Sequence, residues 1–231
     1  MPRKPNDIHP GLGINAGSPD ETKRDHCIRC GTCCAGGGPA LHVEDLELVR
    51  AAAIDLSDLY TIRKGEMALD NVSGKGCVLD AEIIKIRSGQ GSAACIFYDV
   101  DLRACGIYAS RPLECRVMKC WDTAKIVALY QKDRVSRKDI LGRAREVMDL
   151  VSAHERKCSY GAIAGFAEKR AAGDYEAANA LSEMIAFDES VRSSVSSKMD
   201  NGEKIVDFLF GRPLRVTIPR QFGIKITSRR M

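Results

Sequence analysis

Cys27-Ile28-Arg29-Cys30-Gly31-Thr32-Cys33-Cys34 places four thiols in eight residues, and Ala35-Gly36-Gly37-Gly38-Pro39 follows at once. A second group lies downstream at Cys95, Cys105, Cys115 and Cys120. Thiolate is a strong soft ligand, and Cys-x-x-Cys lets two sulfurs face one ion because the turn between them suits tetrahedral geometry. Here the interval is repeated, Cys27-x-x-Cys30-x-x-Cys33, a spacing that also fits three corners of an iron–sulfur cluster. The chain departs from the bacterial ferredoxin run by setting Cys34 directly after Cys33 and by lacking the further Cys-Pro. Adjacent side chains diverge, so Cys33 and Cys34 are expected to serve two metals or to bridge them. Eight thiols in two groups of four match that arithmetic. The two groups are expected to close on each other around metal.

A chain of 231 residues makes one large domain or two small ones. Its hydrophobic fraction of 45% and charged fraction of 29% are those of an ordinary globular protein. A net charge of +4 does not by itself call for a nucleic-acid partner. The charge is unevenly placed. Arg212, Arg215, Arg220, Lys225, Arg229 and Arg230 stand in residues 212–231 without an acid, which leaves the rest of the chain at about −2. The first 25 residues carry no apolar stretch of the kind that directs secretion, and no run is long enough to span a membrane. The expected compartment is the cytoplasm, where thiols stay reduced and ten cysteines point to metal or redox chemistry rather than disulfides.

The expected fold is α+β and mainly α, with a small Cys-rich, irregular metal-binding domain packed on a helical C-terminal part. Residues 1–25 read as a flexible tail, 26–121 as the cysteine domain, and 122–231 as the helical region with its basic tail. Leu41, Leu46, Leu48, Val49, Ala52 and Ala53 recur at helical spacing, and Ser57-Asp58 suggests a second short helix before Gly65. Ile83-Ile84-Lys85-Ile86 and Cys95-Ile96-Phe97-Tyr98 are β-like and are expected to pair across 88–93. Residues 70–121 are turn-rich and poor in apolar side chains, so metal would supply stability that their core does not. Ser136-x-x-Asp139 is a capping box opening a helix whose apolar face runs through Ile140, Ala144, Val147, Met148 and Val151. Three more helices follow, around Ile163–Ala167, from Tyr175 towards Ser197, and from Glu203 to Phe210 with Gly211 and Pro213 as stops. The final segment alternates weakly and is expected to extend as strands.

Beyond its spacing, the cysteine pattern resembles a known family. Cys-x-x-Cys-x-x-Cys-Cys, with Cys95-Ile-Phe-Tyr-Asp and Cys105-Gly-Ile-Tyr-Ala-Ser-Arg-Pro-Leu-Glu-Cys115-Arg, resembles the CxxCxxCC cysteine-cluster family, the YkgJ-like proteins, over about residues 26–121. That family is described as zinc- or iron-chelating. The resemblance implies ligand roles for Cys27, Cys30, Cys33, Cys34, Cys95, Cys105 and Cys115, with Cys120 as an eighth. It implies zinc or an iron–sulfur cluster as the cofactor and says nothing of residues 122–231. A related cysteine cluster occurs in flagellin lysine methylases, which keeps a protein-modifying enzyme in view.

Other residues attach to this frame. Arg111 and Arg116 are fixed cations that would donate to an electron-rich thiolate site or make surface salt bridges. Tyr108 would pack over the cluster, and Trp121 would anchor the core where the cysteine region meets the helices. His26 flanks the first group, and His154 stands near a helix end, where a cation suits the dipole. Cys77 lies inside the cluster region and Cys158 outside it. No nucleophile elbow, P-loop, HExxH or dinucleotide fingerprint is present, so no catalytic residue is assigned. Three functions fit: a metal-binding module with a structural or redox role, a redox or protein-modifying enzyme of bacterial type, and an interaction protein docking through its basic tail.

Overall fold

The computed structural model describes residues 25–199 and 201–226; residues 1–24 of the segment read as an N-terminal tail and the last two arginines lie outside them. The chain begins with helix α1 (Thr32–Ala35), α2 (Leu46–Arg50) and strands β1 (Leu59–Ile62), β2 (Met67–Asp70), β3 (Lys75–Val78) and β4 (Ile83–Ile86). Two-residue strands β5 (Tyr98–Asp99) and β6 (Ala104–Cys105) precede α3 (Leu113–Val117) and α4 (Ala124–Leu129). The remainder is helical: α5 (Arg137–Leu141), α6 (Arg145–Lys157), α7 (Tyr160–Ala171), α8 (Tyr175–Ser196), α9 (Gly202–Phe210) and α10 (Leu214–Phe222). About 49% of the described residues are helical and 13% strand, so the fold is α+β and mainly α.

The strands form three antiparallel pairs, β1–β4, β2–β3 and β5–β6. Ile83–Ile86 therefore pairs with Leu59–Ile62, not with Cys95–Tyr98; Cys95 forms an isolated bridge with Ser88, beyond the end of the first run. The Ser57-Asp58 signal marks a short 3-10 turn capped by Asp55, after which the chain extends into β1 instead of continuing as a helix. Its β-branched Thr61 and Ile62 suit a pleated surface better than a helix. The helical spacing around Leu41–Ala53 holds only across Val43–Arg50, because Leu41 is tied by backbone hydrogen bonds to Ile84 and Val135.

The helical half follows its caps. Ser136 accepts from the Asp139 N–H and the Asp139 carboxylate accepts from the Ser136 N–H, a complete capping box. The helix it opens stops at Leu141, and α6 starts afresh at Arg145. Ser159 and Asp174 cap α7 and α8 by accepting from the Ala162 and Ala177 N–H groups. α8 buries Ala177, Leu181, Met184, Ile185, Asp188 and Arg192 along one face. Residues 214–222 form α10 with Pro219 inside it; weak alternation was overridden by packing of Leu214 and Ile218, both fully buried.

One hydrophobic cluster joins the two halves. Leu41, Ile54, Leu59, Ile84 and Ile86 pack with Val135, Leu141, Val151, Val206, Phe208, Leu209 and Phe210. Burying each large side chain contributes roughly 1.5–3 kcal/mol. Buried ions span the same seam. Fully buried Arg63 donates through Nε and Nη2 to Glu155, at 2.7 Å each, and through Nη2 to the Cys158 carbonyl at 2.7 Å. Arg137 donates to Glu82, to Glu155 and to the Leu209 carbonyl. Burial alone would raise the Glu155 carboxyl, but the two guanidiniums hold it below its ordinary value. A second group joins His154 Nε2 and Arg192 Nε to Asp188 Oδ1 at 2.8 and 2.9 Å. His154 is thus a buried imidazole, lowered in pKa by burial, and not a cation at an open helix end.

Candidate metal centre

The first cysteine loop is held by three close approaches. Gly31 adopts φ 79°, and a Cβ there would collide with the Tyr98 phenol, so the Gly31 position requires glycine on both counts. Gly38 lies against the Ile86 carbonyl with no room for a side chain. The Cys95 N–H donates to the Cys34 carbonyl at 2.8 Å, joining the two cysteine groups through the backbone. Downstream, β5 and β6 set Cys105 opposite Tyr98, and the Gly106 N–H bonds the Phe97 carbonyl at 2.8 Å. Pro112 caps α3 and stands just outside it, leaving Cys115 and Arg116 within the turn. α3 is pinned to the N-terminal part by Glu114, whose Oε2 accepts from the Ala40 N–H at 2.8 Å, and by Asp45, which accepts from the Leu113 N–H at 2.8 Å. His42 adds a contact to Glu114 at 3.3 Å and one to the Lys132 carbonyl at 2.7 Å.

These constraints place all eight candidate cysteines, and Cys77, on the wall of one cavity of about 980 Å³. Cys33, Cys34, Cys95, Cys105 and Cys115 are electrostatic neighbours, and Cys27 and Cys30 act on Cys33. Burial, then mutual repulsion, pushes the Cys34 thiol up to about 12 and raises Cys115 further in the same direction. Burial also raises Cys33 and Cys95. Cys120 and Cys77 are exposed at the wall and are not among the main influences on Cys33, Cys34, Cys95 or Cys115. Among the described residues, no three Cys, His, Asp or Glu side chains converge closely enough to hold one ion.

The model of the CxxCxxCC family, described as "Putative zinc- or iron-chelating domain", matches residues 26–139. This stretch is a CxxCxxCC domain. No solved structure matches the chain.

The donor set of the CxxCxxCC domain suits such a metal. Its thiols are soft ligands, all ten cysteines are free, and thiols this crowded ionise together only when a cation offsets their charge. The Arg111 Nε is a buried donor without a partner, facing a cavity whose wall is thiol. Two guanidiniums share one aromatic ring there: Arg29 lies 4.2 Å and Arg111 3.7 Å from the Tyr108 centroid. Arg116 turns away to Glu44 and Asp45, at 3.7 and 3.8 Å, and so makes the salt bridges that were its other expectation. Trp121 is half-buried on the cavity wall and takes no part in the buried clusters that join the halves. Cys158 is fully buried, its thiol pushed to about 11 by burial, and fills core space.

Lys85 is the residue that the sequence reading passed over. It stands in the middle of the β-like run Ile83-Ile84-Lys85-Ile86. In the structure it lines the cavity, with Glu114, Arg134, Cys115 and Cys95 as its charged and ionisable neighbours. A lysine inside an otherwise all-isoleucine strand was the available signal.

No helix among the described residues is long and apolar enough to cross a membrane.

Proposed function

We propose that this protein holds an iron–sulfur or zinc centre with Cys27, Cys30, Cys33, Cys34, Cys95, Cys105, Cys115 and Cys120, and that the centre closes the loop between the two cysteine groups. The observation that carries this reading is the single cavity on which the two groups meet. Cys34, Cys95, Cys105 and Cys115 are the half-buried thiols on its wall, and Cys27, Cys30, Cys33 and Cys120 are the exposed ones. The metal unit runs over about residues 26–139 and packs on the helical remainder. Since the sulfurs do not yet converge, binding would draw the loop 27–34 and the turn 95–105 together, and deprotonation of raised thiols would accompany it.

When bound, the metal would supply a fixed positive charge for the thiolates or a one-electron store. The chain's own residues set its surroundings. Gly31 and Tyr98 fix the loop, Glu114 holds α3, and Tyr108 carries two guanidiniums at the wall. Protein purified without oxygen should contain iron and sulfide with broad visible absorption, or stoichiometric zinc without colour. Absence of both metals from freshly purified, folded protein defeats the proposal. Colourless zinc protein defeats the redox form and leaves the structural one.

The cavity itself favours a second reading, an enzyme in which the centre faces a substrate. A tetrathiolate ion extends little beyond its sulfurs at about 2.3 Å, whereas about 980 Å³ lies within the range of small-molecule pockets. A docking role for the basic tail draws less support. Arg212 bonds Glu66 at 2.5 Å and Arg215 pairs with Glu189, so both cations are engaged within the fold.

A further inference from the structure

We propose that Lys85 and Arg111 are the counter-charges of the thiolate centre, positioning residues that make its negative charge tolerable within the cavity. The inference rests on the metal reading above. Four thiolates around one divalent ion leave a net charge of −2, and a charge withdrawn from water needs a partner. The wall offers cations whose usual partners are missing. Among the described residues, Lys85 makes no side-chain hydrogen bond or salt bridge, although it is half-buried on the cavity wall. Its nearest acid, Glu114, spends Oε2 on the Ala40 N–H and Oε1 on His42. Arg134, beside Lys85, adds like charge and gives its Nε to the Tyr130 carbonyl. Anions left to Lys85 on this side are Cys95 and Cys115 once they ionise.

Arg111 poses the same problem on the other side of the loop. Its Nε is buried without a partner, and no carboxylate bonds its guanidinium. Arg29 approaches the same Tyr108 ring and adds a second positive charge. Two like charges on one ring repel unless an anion offsets them, and both arginines line the cavity that the cysteines share. Arg116 provides the contrast, since its carboxylates are present. The arrangement is that of a site whose missing partner is negative.

The test uses full-length protein purified anaerobically, with Lys85→Met, Lys85→Arg, Arg111→Met and Arg111→Lys compared by competition with a chelator. Each neutral variant should weaken metal binding about tenfold and the double neutral variant about a hundredfold, the scale of partners outside the ligand set. Lys85→Arg and Arg111→Lys should stay near wild type. In cobalt-substituted protein, the sulfur-to-metal charge-transfer band should move to lower energy in the neutral variants alone. For an iron–sulfur centre, the midpoint potential should fall in the same variants. Neutral variants that hold metal as wild type does, with an unmoved band or potential, overturn the assignment. So does a charge-retaining variant that fails as badly as its neutral counterpart, because packing would then explain both. Wild-type protein that binds no metal sinks the metal reading and this inference together; metal-bearing wild type with indifferent variants sinks this inference alone.

Discussion

Around α9, Phe208 and Phe210 are fully buried and touch both the strand pair and α6–α8, so that side chains fill the space between elements. Around the cysteines, the corresponding space is a cavity of about 980 Å³ walled by thiols and unpaired cations. The first region is stabilised by apolar burial and by ion pairs that end on carboxylates. The second has thiols raised by burial and cations without anions. Buried nitrogens without a partner occur in both regions, Arg63 Nη1 and His154 Nδ1 in the core and Arg111 Nε at the cavity, but Arg63 also ends on a carboxylate and Arg111 does not. That difference is the one expected if, as proposed, a bound positive ion completes the cysteine region while the helical region rests on its own contacts.

The strongest test of this contrast removes the ligands themselves. Cys33→Ser with Cys34→Ser should cost at least about half of the bound metal, as expected if adjacent thiols serve two positions, and metal analysis reads it directly. Stability of the variant should then become insensitive to chelator, whereas wild type should unfold more readily when metal is stripped. Unchanged metal content refutes the assignment of the pair. Next comes the seam. Glu155→Gln leaves Arg63 and Arg137 short of their shared carboxylate and should destabilise the protein by about 3 kcal/mol in urea unfolding. Metal per folded molecule should not change, which keeps the two regions' energetics apart.

A smaller effect belongs to His154. Burial depresses its pKa below the ordinary value of 6.5, so the unfolded state takes up a proton more readily than the folded one. Its contribution is present above pH 6.5 and is lost as pH falls through the depressed folded value. Asp188, also depressed, adds a loss of the same sign at lower pH, caused by its His154 and Arg192 partners against the opposing effect of burial. The urea midpoint should fall between pH 7.5 and 5.5 in wild type and fall less in His154→Phe. Equal slopes would exclude this imidazole as the titrating group. The smallest change is expected at the rim: Cys120→Ser should reduce metal retention less than Cys115→Ser, and Cys77→Ser should leave it unchanged. Equal losses at Cys120 and Cys115 would show that the rim closes fully onto the centre.

Much of the helical half was legible because its signals are local. Ser136 with Asp139, Gly211 and the Leu181–Ile185 stripe each act within a turn or two, and the structure keeps all three. Strand pairing was harder. Ile83–Ile86 could have paired with either flank, and burial of Leu59 and Ile62 decided for β1. The C-terminal segment was misread because Leu214 and Ile218 suit a helix face as well as a weak alternation, and docking on α7 and α8 selects the helix. His154 and Trp121 were misplaced for a similar reason: near-neighbour context does not reveal what packs over a side chain from another element.

By itself the sequence determined the donor chemistry, since thiol spacing is a property of a few consecutive residues and survives in any fold that keeps the loop. It also determined the family and the caps that start each major helix. The tertiary structure decided which cations meet those thiols. Arg111 and Arg116 look equivalent in the chain, yet Arg111, just before the Pro112 cap, lines the cavity, while Arg116 on α3 pairs with Glu44 and Asp45. Lys85 joins Cys95 and Cys115 only because β4 pairs with β1 beneath the loop. Charge pairing across such separations depends on distance in space, and that distance is set by the packed core.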